Sequence, residues 1–170
     1  MKKVVSTILT VSIFIILTGC KSFIVDKPII SSRTEYLQSK TLSESGYIYY
    51  STGNNIVQIK SGDKTEEAFT DFFSYFLFTV DDWVYYYDYR NDGATYKEPI
   101  LHRRKEDSSL DETVIKTPVK SVSYYNKCIY YMPCQQFTYG LYRANSDGSQ
   151  QSQITDESIQ QYYFEDNYIL

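Results

Sequence analysis

Histidine is almost missing from this chain of 170 residues, with His102 its single copy. A zinc centre needs several nitrogen or sulfur ligands around one metal, and a hydrolytic triad needs a base oriented by a third group. His102 is followed instead by Arg103, Arg104 and Lys105, then by Glu106 and Asp107. No Gly-x-Ser-x-Gly elbow offers a nucleophile. The expectation is of no catalytic residues, no metal ligands and no cofactor, with the charged run a solvated outer strand and turn. A sharper alternative makes that run a patch gripping an acidic partner or a lipid phosphate.

Positive charge is also in short supply. Lys and Arg number 17 against 21 Asp and Glu, and without Lys2 and Lys3 the formal balance falls from −4 to −6. An acidic surface of this kind argues against nucleic acid, or an anionic lipid surface, as the main partner. Cysteine is limited to Cys20, Cys128 and Cys134. A strand from Cys128 to Met132, rising about 3.3 Å per residue, would carry the last two beyond the roughly 5.5 Å between α-carbons that a disulfide needs. Two separate thiols are expected there.

A hydrophobic run long enough to span a bilayer is absent as well. Val4 to Leu17 is apolar apart from small hydroxyl residues, and stops short of the roughly 20 residues a membrane helix needs. With Lys2 and Lys3 ahead of it, this is the plan of a signal peptide. The run closes on Leu17, Thr18, Gly19 and Cys20. These four residues resemble the bacterial lipobox, and the resemblance implies cleavage before Cys20 and a lipid on its sulfur. Acyl chains contribute about 0.8 kcal/mol per buried methylene, and two or more suffice for stable anchoring. Residues 1–19 are thus expected to be a lipoprotein signal helix, 20–33 a lipidated polar tether and 34–170 an exported domain. The expected location is the cell envelope, outside the cytoplasm, with the membrane held through Cys20.

Against sparse Gly, Met and Pro stand 19 tyrosines. Tyrosine favours strands, and it packs a large ring while its hydroxyl reaches solvent or a backbone group. An apolar anchor recurs as Tyr47-Ile48-Tyr49-Tyr50, Trp83-Val84-Tyr85-Tyr86, Cys128-Ile129-Tyr130-Tyr131 and, cut off, Tyr168-Ile169-Leu170. Each follows a two-residue turn candidate: Ser45-Gly46, Asp81-Asp82, Asn126-Lys127 and Asp166-Asn167. Strand-like stretches precede three of these turns, at Tyr75 to Val80, Val122 to Tyr125 and Gln161 to Glu165. Others follow at Ile56 to Lys60, Ile100 to Lys105 and Leu141 to Ala144, each before a polar turn and a short closing strand.

Four short strands per unit of about 40 residues is the plan of a β-propeller blade. The anchors are apolar at nearly every position, as a strand must be when both faces of its sheet are covered. The repeats fall at about 36–70, 71–117, 118–155 and, incomplete, 156–170. The fold class expected is all-β, a partial propeller of about 3.5 four-stranded antiparallel blades.

Ile129-Tyr130-Tyr131, Gly140 to Asn145 and Ser146-Asp147-Gly148-Ser149 resemble bacterial lipoproteins whose propeller domains are similar to the YWTD propeller of low-density-lipoprotein-receptor-related proteins. No unit carries the literal Tyr-Trp-Thr-Asp signature. The resemblance implies a non-catalytic binding or interaction module, with a protein or carbohydrate ligand and no nucleic acid. An exported propeller-type hydrolase and a truncated remnant are the competing readings. Three and a half units fall short of the roughly 4 to 8 blades that close a propeller. A shortened reading frame, an open stack, or completion by a second copy through the C-terminal edge at Tyr168, Ile169 and Leu170 would each account for that.

Two further segments invite functional readings. Asp88 to Gly93 looks like a calcium loop, yet Arg90 takes a ligand position and Pro99 stands where the closing glutamate belongs; an exposed loop is expected. Trp83 beside Asp81 and Asp82 suggests a ring on which a sugar stacks, but its place in the repeat favours core packing.

Overall fold

The computed structural model describes residues 29–30, 41–90, 98–134, 139–165 and 168–169. The expected signal helix, Leu17, Thr18, Gly19, Cys20 and the turn at Asp166-Asn167 lie outside them. No helix occurs among the described residues, and the protein is all-β.

Fifteen strands are numbered among the described residues. The first, β1 (Ile29–Ile30), joins a later sheet. A first four-stranded antiparallel sheet holds β2 (Thr41–Leu42), β3 (Tyr47–Ser51), β4 (Ile56–Lys60) and β5 (Glu66–Ala68) in chain order. A second holds β6 (Ser74–Val80), β7 (Trp83–Asp88), β8 (Ile100–Lys105) and β9 (Asp111–Ile115). The third holds β10 (Val119–Tyr125), β11 (Cys128–Pro133), β12 (Leu141–Asn145) and β13 (Ser152–Thr155), with β1 added on the outer side of β10. A two-stranded unit, β14 (Phe164–Glu165) and β15 (Tyr168–Ile169), follows. Three blade-like meanders and a half-unit thus make a partial propeller.

The hairpin turns explain the registers. Val80 pairs with Trp83 and Tyr125 with Cys128, each leaving two residues in the loop. Asp81 (φ 52°), Asn126 (φ 48°) and Lys127 (φ 61°) take the left-handed backbone that such tight turns require. Ile29 and Ile30 depart from the expected polar tether: they pair with Tyr124 and Ser123 on β10. Their β-branched side chains suit a strand, and that edge offers free backbone groups.

Side chains alternate across β7 and β11, so consecutive large residues there serve two interfaces. Val84 and Tyr86 of β7 meet Tyr49, Ile56 and Phe69 of the first sheet, with Phe76 beside them. Tyr85 and Tyr87 join Phe78 and Leu101 against Val119, Val122, Ile129 and Tyr131 of the third sheet. On the far side of the third sheet, Tyr125, Tyr130, Met132 and Leu141 close over Tyr162, with Phe164 packed at the margin. Each fully buried aliphatic or Phe side chain contributes roughly 1.5–3 kcal/mol.

Hydrogen bonds stitch the same seams. The Phe76 N–H donates to Ser51 Oγ at 2.9 Å, joining the first two sheets. The Val119 N–H donates to the Pro99 carbonyl at 2.9 Å, joining the second and third. Tyr162, fixed by Ser123 Oγ at 3.0 Å and the Tyr130 carbonyl at 2.9 Å, ties the last segment to the third sheet.

Candidate functional site

The charged run on β8 is divided between two seams rather than turned to water. Cross-strand register places His102 opposite Tyr86 and Arg104 opposite Val84, on the face toward the first sheet. Arg103 stands opposite Tyr85 and Lys105 opposite Trp83, on the face toward the third. The period of two built into a strand performs this division.

Toward the first sheet the sole histidine is enclosed by acids. His102 Nδ1 lies 3.4 Å from Asp111 Oδ1, and its Nε2 is 3.0 Å from Thr113 Oγ1 and 3.7 Å from Asp88 Oδ2. The Tyr86 hydroxyl donates to Asp111 Oδ1 at 2.8 Å. Arg90 holds Asp88 through Nε at 2.8 Å and Nη2 at 2.6 Å, while its guanidinium sits 3.5 Å over the Phe72 ring. Its Nη2 is also 3.9 Å from Asp111. Burial by itself would push Asp111 up, but the bonds from His102 and Tyr86 and the charges of His102 and Arg90 outweigh it and hold the carboxyl below its ordinary range. Tyr86 is raised by burial and further by the Asp111 carboxylate it bonds.

Further along the same face, Arg104 Nη1 donates to the Phe69 carbonyl at 2.6 Å. Glu106, in the turn after β8, accepts the Ser45 hydroxyl from the first sheet. An open cleft of about 270 Å³ lies here, lined by Ser45, Tyr47, Asp82, Lys105, Glu106 and Asp107. Beside it the Tyr49 hydroxyl is buried without a hydrogen-bond partner, as is Glu106 Oε1. Burial raises the Tyr49 phenol and the Glu106 carboxylate raises it further.

On the other face Arg103 bolts the second sheet to the third. Its Nε donates to Glu112 at 2.6 Å and its Nη1 to the Ser146 carbonyl at 3.1 Å, the same oxygen that the Tyr85 hydroxyl reaches at 2.9 Å. The guanidinium lies 4.0 Å over the Trp83 ring and Lys105 Nζ lies 4.3 Å from it. Lys105 also pairs with Asp82.

Several expectations need correction. The strand carrying His102 to Lys105 is an inner strand of its sheet, not an outer one, and its half-buried side chains bond neighbouring sheets, while Asp107 in the turn is exposed as expected. Asp88 is no exposed loop residue; it ends β7 and is 4% exposed, since the Arg90 fork permits its burial. Trp83 packs against the core, as expected from its place in the repeat, as a half-buried ring with two cations over it. Cys128 and Cys134 are separate, half-buried thiols, as expected.

The association of Asp88, Arg90 and Asp111 with His102 escaped the sequence reading because it depends on the β7–β8 and β8–β9 registers. The only signal available was a carboxylate at the end of an apolar strand. Among the described residues no group of three or more His, Cys, Asp or Glu side chains is placed to hold a metal ion. No protein-family model matches this chain, and no curated protein matches it in sequence.

Proposed function

We propose that this chain is an exported lipoprotein, anchored through a lipid on Cys20, whose partial propeller acts as a non-catalytic binding or interaction module. The observation that carries the domain's role is the use of its polar side chains. His102, Asp88, Asp111 and Arg90 bond one another, and Arg103, Arg104 and Glu106 bond the neighbouring sheets. Groups committed to holding sheets together support a scaffold whose surface meets a protein or carbohydrate ligand.

The hydrolase reading has one observation in its favour, the two carboxylates flanking His102. Against it stands Arg90, whose guanidinium neutralises Asp88 and leaves that carboxylate bonded rather than poised as a base or nucleophile.

The anchor is tested by feeding an alkyne fatty acid to bacteria expressing the full chain. The chain is expected to take up the label and sediment with membranes, and Cys20→Ser is expected to lose both properties. An unlabelled wild-type chain would contradict the anchor. The non-catalytic reading is tested with a panel of chromogenic esters and glycosides. Turnover that disappears in Asp88→Asn and Asp111→Asn would overturn it.

A further inference from the structure

Two acids that line the cleft between the first and second sheets, Glu106 and Asp107, form no ion pair among the described residues. Lys105, the one cation of the lining, is taken up by Asp82 and by the face of Trp83. An acidic lining alone would describe a solvated turn, but the floor beneath it is different. Tyr49 is 0% exposed, and its hydroxyl bonds nothing. Its ring lies 6.3 Å from that of Tyr47, on the same side of β3, and the charge of Glu106 acts on its phenol. The hydroxyl is thus directed to the part of the cleft where Tyr47 and Glu106 meet. Glu106 Oε1 is buried without a partner too, while Oε2 accepts the Ser45 hydroxyl. Buried polar atoms are nearly always bonded, so these two oxygens call for a donor from outside the chain.

We propose that this cleft binds a primary ammonium group, the end of a lysine side chain or of a free alkylamine. The three N–H bonds of an ammonium match three acceptors: Glu106 Oε1, the Tyr49 hydroxyl and the Asp107 carboxylate. Asp107 is exposed, and bonds from Ser109 hold its carboxyl below the ordinary range, so it stays charged. Tyr47 offers a half-buried ring along which an alkyl stem packs. Ser45, exposed in the turn before β3, lies over the Glu106 carboxyl and turns aside as the ammonium enters. A metal ion is the poorer match, because among the described residues no three His, Cys, Asp or Glu side chains are placed around one. A sugar hydroxyl brings a single donor and no charge. The proposal rests on the binding-module reading and supplies the ligand chemistry of one site within it.

Trp83, the only tryptophan, lies 4.3 Å from Lys105 Nζ in the cleft wall, so its emission reports what the cleft holds. The full chain in detergent is titrated with Nα-acetyl-lysine methylamide, with butylamine, and with the lysine derivative acetylated at Nε. A saturable change is expected with at least one of the two amines and none with the acetylated compound. Equal affinity for both amines assigns the site to free amines, and a preference for the lysine derivative assigns it to a lysine of a partner protein; the proposal holds in either case. Glu106→Gln is expected to weaken binding about tenfold or more, as loss of a hydrogen bond between charged groups requires. Tyr49→Phe should also weaken binding, yet melt no lower than the wild type, because it deletes a hydroxyl that bonds nothing within the chain. An equal response to the acetylated compound, no saturable response to either amine, or a lower melting temperature for Tyr49→Phe would overturn the proposal. The binding-module reading stands apart from these results, since it falls on turnover of the esters and glycosides.

Discussion

Gly148, in the turn between β12 and β13, rests against the backbone of Val114 in β9 of the adjacent sheet. A β-carbon built on Gly148 would fall 1.9 Å from the Val114 carbonyl oxygen, and its φ is +82°. The absence of a side chain here allows the third sheet to seat on the second. Gly148→Ala is expected to cost about 1–3 kcal/mol from the dihedral alone, and more from forcing the two backbones apart. Gly53 has a φ of +95° with nothing within 4 Å of an added β-carbon. Gly53→Ala should therefore show the dihedral cost only, and thermal melts of the two variants isolate the close approach.

Arg103 is the second fastening of that seam. Arg103→Met removes bonds to Glu112 and to the Ser146 carbonyl, at an expected cost of about 1.5–3 kcal/mol for hydrogen bonds made by a charged group. Because Trp83 is the only tryptophan and lies under this guanidinium, the native-state emission spectrum should change together with the melting temperature. Arg103→Lys is expected to rescue little, since a point ammonium cannot bridge Glu112, Ser146 and the ring as a planar fork does.

The contrast between these residues and the anchors shows what the sequence made legible. Trp83 to Tyr86 and Cys128 to Tyr131 announced themselves because burial on both faces demands apolar residues at consecutive positions, Tyr47 to Tyr50 because it repeats their pattern, and turn residues with left-handed backbone marked the hairpins. The division of His102 to Glu106 between two seams was hidden. A run of adjacent charges carries no apolar alternation, and only the pairing of β8 with β7 reveals which neighbour each side chain meets. Asp88 was hidden for a related reason, since its burial depends on Arg90 and His102 arriving beside it. Ile29 and Ile30 were too short a segment to stand out from a tether.

Acid stability should depend on Asp111. Its folded-state carboxyl is held below the ordinary range, so its contribution is present above the unfolded value of about 3.9 and is lost as pH falls through the folded value. Asp111→Asn removes that part of the dependence. Urea midpoints measured from neutrality down into this window should fall for the wild type and fall less steeply for the variant.

At the alkaline end the sign reverses. Burial pushes the Tyr131 phenol up to about 12, with Tyr142 adding to the shift. An unfolded tyrosine ionises near 10, so this contribution is complete below about 10 and is lost as pH rises through the folded value. Tyr85 and Tyr130 are raised in the same direction, mainly by burial. Tyrosinate absorbance is expected to appear in two stages, exposed rings first and buried rings together with loss of the circular dichroism of the sheets.

Hydrogen exchange resolved strand by strand tests the stacking of sheets most directly. With both faces covered, β7 and β11 should hold the slowest-exchanging amides, and the outer strands β5 and β13 should exchange well ahead of them. Exchange of β7 and β11 at the rate of β5 and β13 would contradict the account, because strands so exposed could not be the buried centres of neighbouring blades.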